Sequence, residues 1–98
     1  MIYKYSLGVP CKKGQGHFRL SIPRAKVKKV LDVQMQDSDA VLWAEVEIDS
    51  FDNYLDIVVV WTGFEEPETI PYFKTIQEPS TGLVYHYYIY NPEEAYDL

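Results

Sequence analysis

The strongest constraint on this chain is an alternation of apolar and polar side chains with a period of two residues. Residues 2–7 place Tyr3, Tyr5 and Leu7 on one face of an extended segment. The same period recurs in later segments, separated by short stretches rich in Gly, Pro, Asp and Asn. This pattern is typical of antiparallel β proteins. The sequence predicts about seven strands, at residues 2–7, 17–22, 27–36, 41–49, 54–62, 72–77 and 82–90.

The predicted fold class is all-β, a small sandwich or open barrel with few or no helices. Residues 24–32 can also be read as a helix, because two valines and a leucine stand at helical spacing. The β-branched valines and the alternating continuation favour a strand instead. In this strand, at residues 27–36, we expect Leu31, Val33 and Met35 to point inward.

Two further strands have predicted faces. Residues 57–61 are apolar on both faces, which is typical of a central strand covered on both sides. In strand 41–49, four apolar residues alternate with Trp43, Glu45 and Glu47, namely Leu42, Ala44, Val46 and Ile48.

The length of 98 residues suits one domain, which we place at residues 1–98 with a tail at about 91–98. A hydrophobic content of 47% is enough to bury a core. No apolar run approaches the roughly 18 residues that cross a bilayer, and no signal peptide follows Met1. The one cysteine, Cys11, cannot form an intrachain disulfide, which fits a reducing compartment. We expect a cytoplasmic protein without a membrane span.

The formal net charge of −6 conceals a strong partition along the chain. Residues 1–31 contain eight basic residues and no acidic one, whereas residues 32–98 contain one basic residue, Lys74, and all fifteen acidic ones. Basic strands lying beside acidic strands in a sheet would give this pattern, and so would a confined site for an anion. The acidic remainder disfavours long DNA or RNA. The acidic residues hardly affect a small anion whose site lies more than a Debye length, about 8 Å, from them.

Six segments of the sequence together carry a resemblance to a known family: residues 2–7 (IYKYSL), 33–36 (VQMQ), 42–46 (LWAEV), 62–63 (TG), 72–77 (YFKTIQ) and 83–86 (LVYH). With them the chain resembles a family of small uncharacterised proteins encoded by phages and bacteria. The resemblance extends to about Tyr87. The basic loop 12–16 is longer than is usual in that family, and the tail after Tyr90 is an addition. The resemblance implies a compact β domain of phage origin and carries no catalytic residue.

Catalytic and metal-binding patterns are absent from the sequence. It contains no Gly-rich phosphate loop and none of the common hydrolase motifs. Cys11 and His17 lack a third group to orient them as nucleophile and base, and with His86 they match no metal-ligand spacing. Carboxylate pairs such as 45/47 and 65/66 are expected to be solvated. We predict no enzyme, no cofactor and no metal.

The last strand carries a cluster of aromatic residues. Tyr85 and Tyr87 lie on one face, and His86, Tyr88 and Tyr90 on the other. The second set suits a protein interface or base stacking, worth about 1–3 kcal/mol per base, unless it only stabilises the sheet through cross-strand packing. Basic residues of the first third could hold the phosphates of such a ligand. The predicted ligand-binding residues are Lys12, Lys13, Arg19, Arg24, Lys26, Lys28, His86, Tyr88 and Tyr90.

Three functions remain open on this basis. The first is a non-enzymatic phage protein that antagonises host anti-phage defence in the host cytoplasm. In its sharpest form it sequesters a cyclic nucleotide signal, a small anionic ligand, at the interface of a homo-oligomer. The second is an acidic protein inhibitor that mimics nucleic-acid phosphate, as anti-CRISPR proteins do. The third is a minor structural or assembly component of the virion.

Overall fold

The computed structural model describes residues 1–8, 15–37, 39–79 and 81–90. Within these ranges the chain forms strands and no helix, so the predicted all-β fold class is confirmed. The observed bounds differ from the predicted ones by two residues or fewer. The strands are β1 (Ile2–Gly8), β2 (Gln15–Ile22), β3 (Ala25–Gln36), β4 (Asp39–Ile48), β5 (Asn53–Trp61), β6 (Tyr72–Gln77) and β7 (Val84–Ile89).

The strands form two antiparallel sheets. The three-stranded sheet has the order β1-β4-β3, and the four-stranded sheet has the order β2-β5-β7-β6. The chain passes from one sheet to the other between β2 and β3, and it returns between β4 and β5. β1 and β2 also belong to different sheets, so across the described strands the chain crosses between the sheets three times, and two of these crossings are the short turns at residues 23–24 and 49–52.

The hydrophobic core lies between the two sheets. The predicted central strand β5 is covered on both faces, because Ile57 and Val59 enter the main core while Val58 and Val60 pack under Ile70 on the other face. The other main-core side chains are those of Ile22, Ala25, Val27, Val30, Val33, Ala40, Leu42, Ala44, Val46, Leu55, Tyr85, Tyr87 and Ile89.

Two β-bulges in β3 overturn one sequence prediction. The pairing of β3 with β4 skips a residue between Val27 and Lys29 and again between Val30 and Asp32. Each extra residue advances the alternation by one position, so buried residues recur every third residue as Val27, Val30 and Val33. Leu31 was expected to point inward, but it is an extra residue of a bulge and is 40% exposed.

Ile48, which alternates in step with Leu42, Ala44 and Val46, lies outside the core. The Ile48 side chain is on the same, core-facing side of β4 as those of Ala44 and Val46, and Ile48 pairs with the buried Ala25. It is the last residue of β4, however, and the opposing sheet leaves it uncovered, with 78% of its surface exposed. Alternation predicts which way a side chain points but not where the opposite layer ends.

Candidate ligand-binding site

The two turns that connect the sheets lie side by side at one end of the sandwich. We call residues 23–24 and 49–52 the turn pair. The Arg24 N–H donates to Asp52 Oδ1 at 2.9 Å, and the Asp49 N–H donates to the Arg24 carbonyl oxygen at 3.0 Å. These bonds hold the Arg24 backbone in the left-handed region at φ 52°. This conformation is unfavourable for residues other than glycine or asparagine. The backbone of Arg24 is therefore fixed from both sides.

Asn53 adds a second set of bonds to the turn pair. Its side-chain amide donates to the Ala25 carbonyl oxygen at 2.8 Å, to Asp49 Oδ2 at 3.1 Å and to the Phe51 carbonyl oxygen at 3.3 Å. The hydrogen bond from Asn53 holds the pKa of the Asp49 carboxyl below its ordinary value, and attraction to Lys26 adds to the effect. One side chain thus fixes the turn 49–52 to the start of β3.

An open cavity of about 460 Å³ lies at the turn pair. Its lining consists of Arg24, Ser50, Phe51 and Asp52, and Phe51 is 73% exposed. Among the described residues no hydrogen bond or ion pair engages the guanidinium group of Arg24. The cavity therefore combines the guanidinium group of Arg24, a hydroxyl and an aromatic ring, which are groups that bind a phosphate and a planar ring, with the carboxylate of Asp52, which accepts the Arg24 N–H.

Lys26 is the second predicted cation at this end of the molecule. It is exposed at the start of β3 and lies opposite Glu47 in the pairing with β4. Its attraction for Asp49, noted above, places its charge near the turn pair. The structure thus brings two of the predicted basic residues, Arg24 and Lys26, to the same end of the sandwich.

Two other predicted cations lie apart from this site and have acidic neighbours. Arg19 Nε lies 3.0 Å from Asp56 Oδ1, and its guanidinium lies over the Tyr54 ring at 5.7 Å, on the outer face of the four-stranded sheet. Lys28 Nζ lies 4.0 Å from Glu47 Oε2 on the outer face of the three-stranded sheet. These two faces are on opposite sides of the sandwich. The predicted Lys12 and Lys13 lie outside the described residues.

Strand pairing accounts for much of the charge partition. β2, with Arg19, pairs with β5, which carries Asp56. The basic β3 pairs with the acidic β4, so that Lys26 lies opposite Glu47 and Lys29 opposite Glu45. The charge partition had two possible explanations. The first, that basic strands lie beside acidic strands, accounts for most of the described basic residues. Arg24, which has no acidic side chain paired with its guanidinium group among the described residues, and Lys4, which contacts Trp43 and Gln36, are the exceptions.

The predicted aromatic stripe on β7 is partly covered. Tyr85 and Tyr87 do enter the main core, and Tyr88 faces the other way. Tyr88 is nevertheless only 8% exposed, because Ile70 packs against it and Tyr72 meets its ring edge-on at 5.8 Å. Its hydroxyl donates to Glu66 Oε2 at 3.3 Å. Tyr88 is thus a packing residue in this structure, and it presents no ring for base stacking.

His86 and Tyr90 occupy the ends of the same stripe. The ring of His86 lies between two threonines, with Nε2 2.8 Å from Thr62 Oγ1 and Nδ1 2.9 Å from Thr75 Oγ1. These bonds use both ring nitrogens within the sheet. Tyr90 is 47% exposed. Neither residue lines the cavity at the turn pair.

The sequence reasoning missed Ser50 and Phe51 as site residues. The sequence marks residues 50–53 as a turn, and nothing beyond a large aromatic residue between aspartates singles out this turn. Within the described part of the chain, no group of three or more His, Cys, Asp or Glu side chains could hold a metal ion. Cys11 lies outside that part. The described residues also contain no helix long and apolar enough to cross a membrane.

Comparison with known proteins gives one match. The model of a protein family described as Domain of unknown function (DUF7352) matches residues 1–97. No curated protein and no solved structure is significantly similar to the chain. The expected relationship to an uncharacterised family is confirmed, and the match includes all seven strands and both turns of the turn pair. The expectation that the family resemblance ends at about Tyr87 and that the tail after Tyr90 is an addition is wrong, because the match continues to residue 97.

Proposed function

This chain belongs to the DUF7352 family, a domain of unknown function, and we propose that it is a non-enzymatic binding protein for a small anionic ligand with a planar ring. The proposed site is the cavity at the turn pair. The observation that carries the proposal is the guanidinium group of Arg24, which has no hydrogen-bond or ion-pair partner among the described residues and shares the lining of the cavity with the exposed Phe51. A planar base would stack on Phe51 while Arg24 binds a phosphate group.

The size and the charge of the site fit such a ligand. A volume of about 460 Å³ falls within the range of small-molecule pockets, roughly 300–1,000 Å³. Lys26 adds a second positive charge nearby, and the Ser50 hydroxyl adds a hydrogen-bonding group. Asp49 and Asp52 of the same turn are occupied by bonds to Asn53 and to the Arg24 backbone. Both carboxylates keep their negative charge, so a bound phosphate depends on direct contact with the guanidinium group of Arg24, and a long polyanion would in addition meet the acidic strands.

In the most specific version of this proposal, the ligand is a cyclic nucleotide signal of a host defence system. The protein would then be a phage-encoded antagonist that sequesters this signal in the host cytoplasm. The phage-like segments of the sequence support this context. The ring and phosphates of a cyclic nucleotide correspond to the groups that Phe51 and Arg24 offer.

Calorimetric titration with a panel of cyclic dinucleotides and trinucleotides tests the proposal. We expect saturable binding of at least one compound and a loss of about tenfold or more in affinity for Arg24→Ala and for Phe51→Ala. Lys28→Ala is the matched control, since Lys28 is an exposed cation on the same strand as Lys26 but pairs with Glu47. The absence of binding across the panel would refute the proposal, as would equal losses in all three variants.

A second candidate function rests on the loop between β5 and β6, residues 62–71, which we call the acidic loop. Its carboxylates at Glu65, Glu66 and Glu68 are exposed, and no described cation forms an ion pair with them. Such a row of exposed carboxylates, of which Glu66 also accepts a hydrogen bond from Tyr88, could mimic nucleic-acid phosphates in the basic cleft of a partner protein. We expect salt-sensitive co-purification with a basic partner that a double Glu65→Lys, Glu66→Lys variant abolishes. Retention of the partner by this variant would contradict the mimicry.

A further inference from the structure

In the described part of the chain, the first strand has no neighbour on one side, so that this edge of the three-stranded sheet is open. Among the described residues β1 pairs only with β4, in a regular register from Ile2 to Ser6. An open strand edge presents unpaired backbone N–H and C=O groups, which favour the addition of another strand. Natural proteins protect such edges with bulges or with charged side chains that project past them.

The one charge on β1 is directed away from this edge. Lys4 Nζ lies over the Trp43 ring of the neighbouring strand at 5.7 Å, and it donates to Gln36 Oε1 at 3.2 Å. Trp43 belongs to β4 and Gln36 to the far strand β3, so the lysine side chain reaches across the sheet. Its charge therefore does not protect the open edge of β1.

Two of the other three edge strands are interrupted by bulges. β3 contains two bulges, and β6 contains one bulge between Tyr72 and Lys74. β2 is regular, and its His17 and Arg19 both contact Asp56 of the neighbouring strand, so their charges also do not project past the edge. The edge of β1 is regular from Ile2 to Ser6, and β1 in addition exposes the Tyr3 ring on its core-facing side.

The core-facing side of β1 is also incompletely covered. Tyr3 is 48% exposed, while Tyr5 and Leu7 are partly buried against the main core. β1 packs closely on β4 alone, and no strand of the four-stranded sheet makes comparable contact with it. A partner that adds a strand here would bury backbone edge and apolar surface together.

We propose that two copies of this chain pair antiparallel through their β1 strands, about a twofold axis at Tyr5, to form a continuous six-stranded sheet. In this register Tyr5 faces its own copy, and Lys4 faces Ser6, so the two lysines are not opposite each other. Tyr3 lies beside Leu7 of the other chain, which is the extra residue of the bulge between Ser6 and Gly8. The register brings apolar side chains together and places no like charges opposite each other, which supports a second copy as the partner.

The register gives a charge test at one exposed position. Ser6→Lys places a lysine opposite Lys4 of the partner chain twice in each dimer, whereas Ser6→Glu places a carboxylate there. Like charges directly opposite destabilise a strand pair and unlike charges stabilise it. Both variants lose the same hydrogen bond from the Gly8 N–H to Ser6 Oγ, so each controls for the fold of the other.

Light scattering and sedimentation over a range of concentrations measure the association. We expect a reversible dimer of the 11.4 kDa chain that dissociates about tenfold more readily for Ser6→Lys than for Ser6→Glu at low salt. High salt should reduce this difference. Hydrogen exchange should show β1 amides protected with rising concentration, and amides of the β2 edge unchanged. A strict monomer at millimolar concentration would overturn the proposal, as would a dimer that the two variants affect equally.

Discussion

Lys74 Nζ lies 2.6 Å from Asp32 Oδ1, and this ion pair joins β6 of one sheet to β3 of the other. Lys74 is the one basic residue of residues 32–98, and Asp32 is the first acidic residue of the chain. Partial burial alone would raise the pKa of Asp32. Hydrogen bonds from Lys74, Gln34 and the Val33 N–H outweigh it and hold that pKa below its ordinary value. The pair therefore stabilises the contact between the sheets.

Replacing Asp32 by Asn should lower the free energy of unfolding by about 0.5–1.5 kcal/mol at neutral pH, a modest loss because both side chains are about a third exposed. Because the folded-state pKa of Asp32 lies below its ordinary value of 3.8, the stabilisation is present above that pH. It is lost as the pH falls through the lower folded-state value. Urea unfolding from pH 2 to 7 measures this, and the variant should lack this part of the acid sensitivity.

Asp56→Asn is the matched control for the inter-sheet pair. Asp56 pairs with Arg19 at 3.0 Å within one sheet, and both side chains are more exposed than those of the inter-sheet pair. Its loss should change the unfolding free energy by about 0.5 kcal/mol or less. An equal loss for the two variants would show that the contact between the sheets does not depend on Asp32.

The alternation of side chains predicted the strands well, because a period of two is imposed on any strand with one buried face. It failed in β3, where each bulge adds one residue without changing the composition of the strand. Val27, Val30 and Val33 are spaced by three, and part of that spacing made the segment resemble a helix. The irregular spacing was the available signal of the bulges, but it does not by itself distinguish a bulged strand from a helix.

Substitutions in β3 test the bulged register. Leu31→Ser should cost about 0.5 kcal/mol or less, because Leu31 is 40% exposed. Val33→Ala should cost about 1–2.5 kcal/mol, because Val33 is fully buried. A regular strand would bury both residues and make the leucine substitution the more costly one. Denaturant unfolding of the two variants decides between these registers.

A hydrogen bond from the Tyr88 hydroxyl to Glu66 joins the acidic loop to β7, and a third prediction concerns this bond. Tyr88→Phe keeps the ring that packs against Ile70 and removes the hydrogen bond to Glu66 Oε2. We expect faster amide exchange in residues 63–71 and a loss of about 0.5–1 kcal/mol in unfolding free energy. Glu66→Gln keeps a hydrogen-bond acceptor and should exchange at close to the original rate. Unchanged exchange in Tyr88→Phe would mean that packing alone holds the loop.

The candidate site was only partly predictable. The excess of basic residues pointed to Arg24 and Lys26, but it pointed equally to Arg19 and Lys28, whose acidic neighbours come from strands that pair with theirs. Which cation stays unpaired depends on the order of strands in each sheet, and that order is not written in any local pattern. The meeting of Arg24 with Phe51 is similarly a property of two turns that are distant in sequence.

Because the Arg24 backbone is left-handed, substitutions of this residue change ligand affinity and the free energy of unfolding in different ways. Glycine adopts this conformation without strain, so Arg24→Gly should raise the free energy of unfolding by about 0.5 kcal/mol after the greater flexibility of the unfolded chain is counted. Arg24→Ala keeps the strain and should not be more stable than the original chain. Asp37→Gly, at φ 57° but with a residue that tolerates this region, should gain less. If Arg24 binds the ligand, Arg24→Gly and Arg24→Ala both lose affinity in calorimetric titration although their stabilities move apart, while Asp37→Gly keeps its affinity. Loss of affinity in Asp37→Gly as well would instead mean that the general fold, and not the guanidinium group, governs binding.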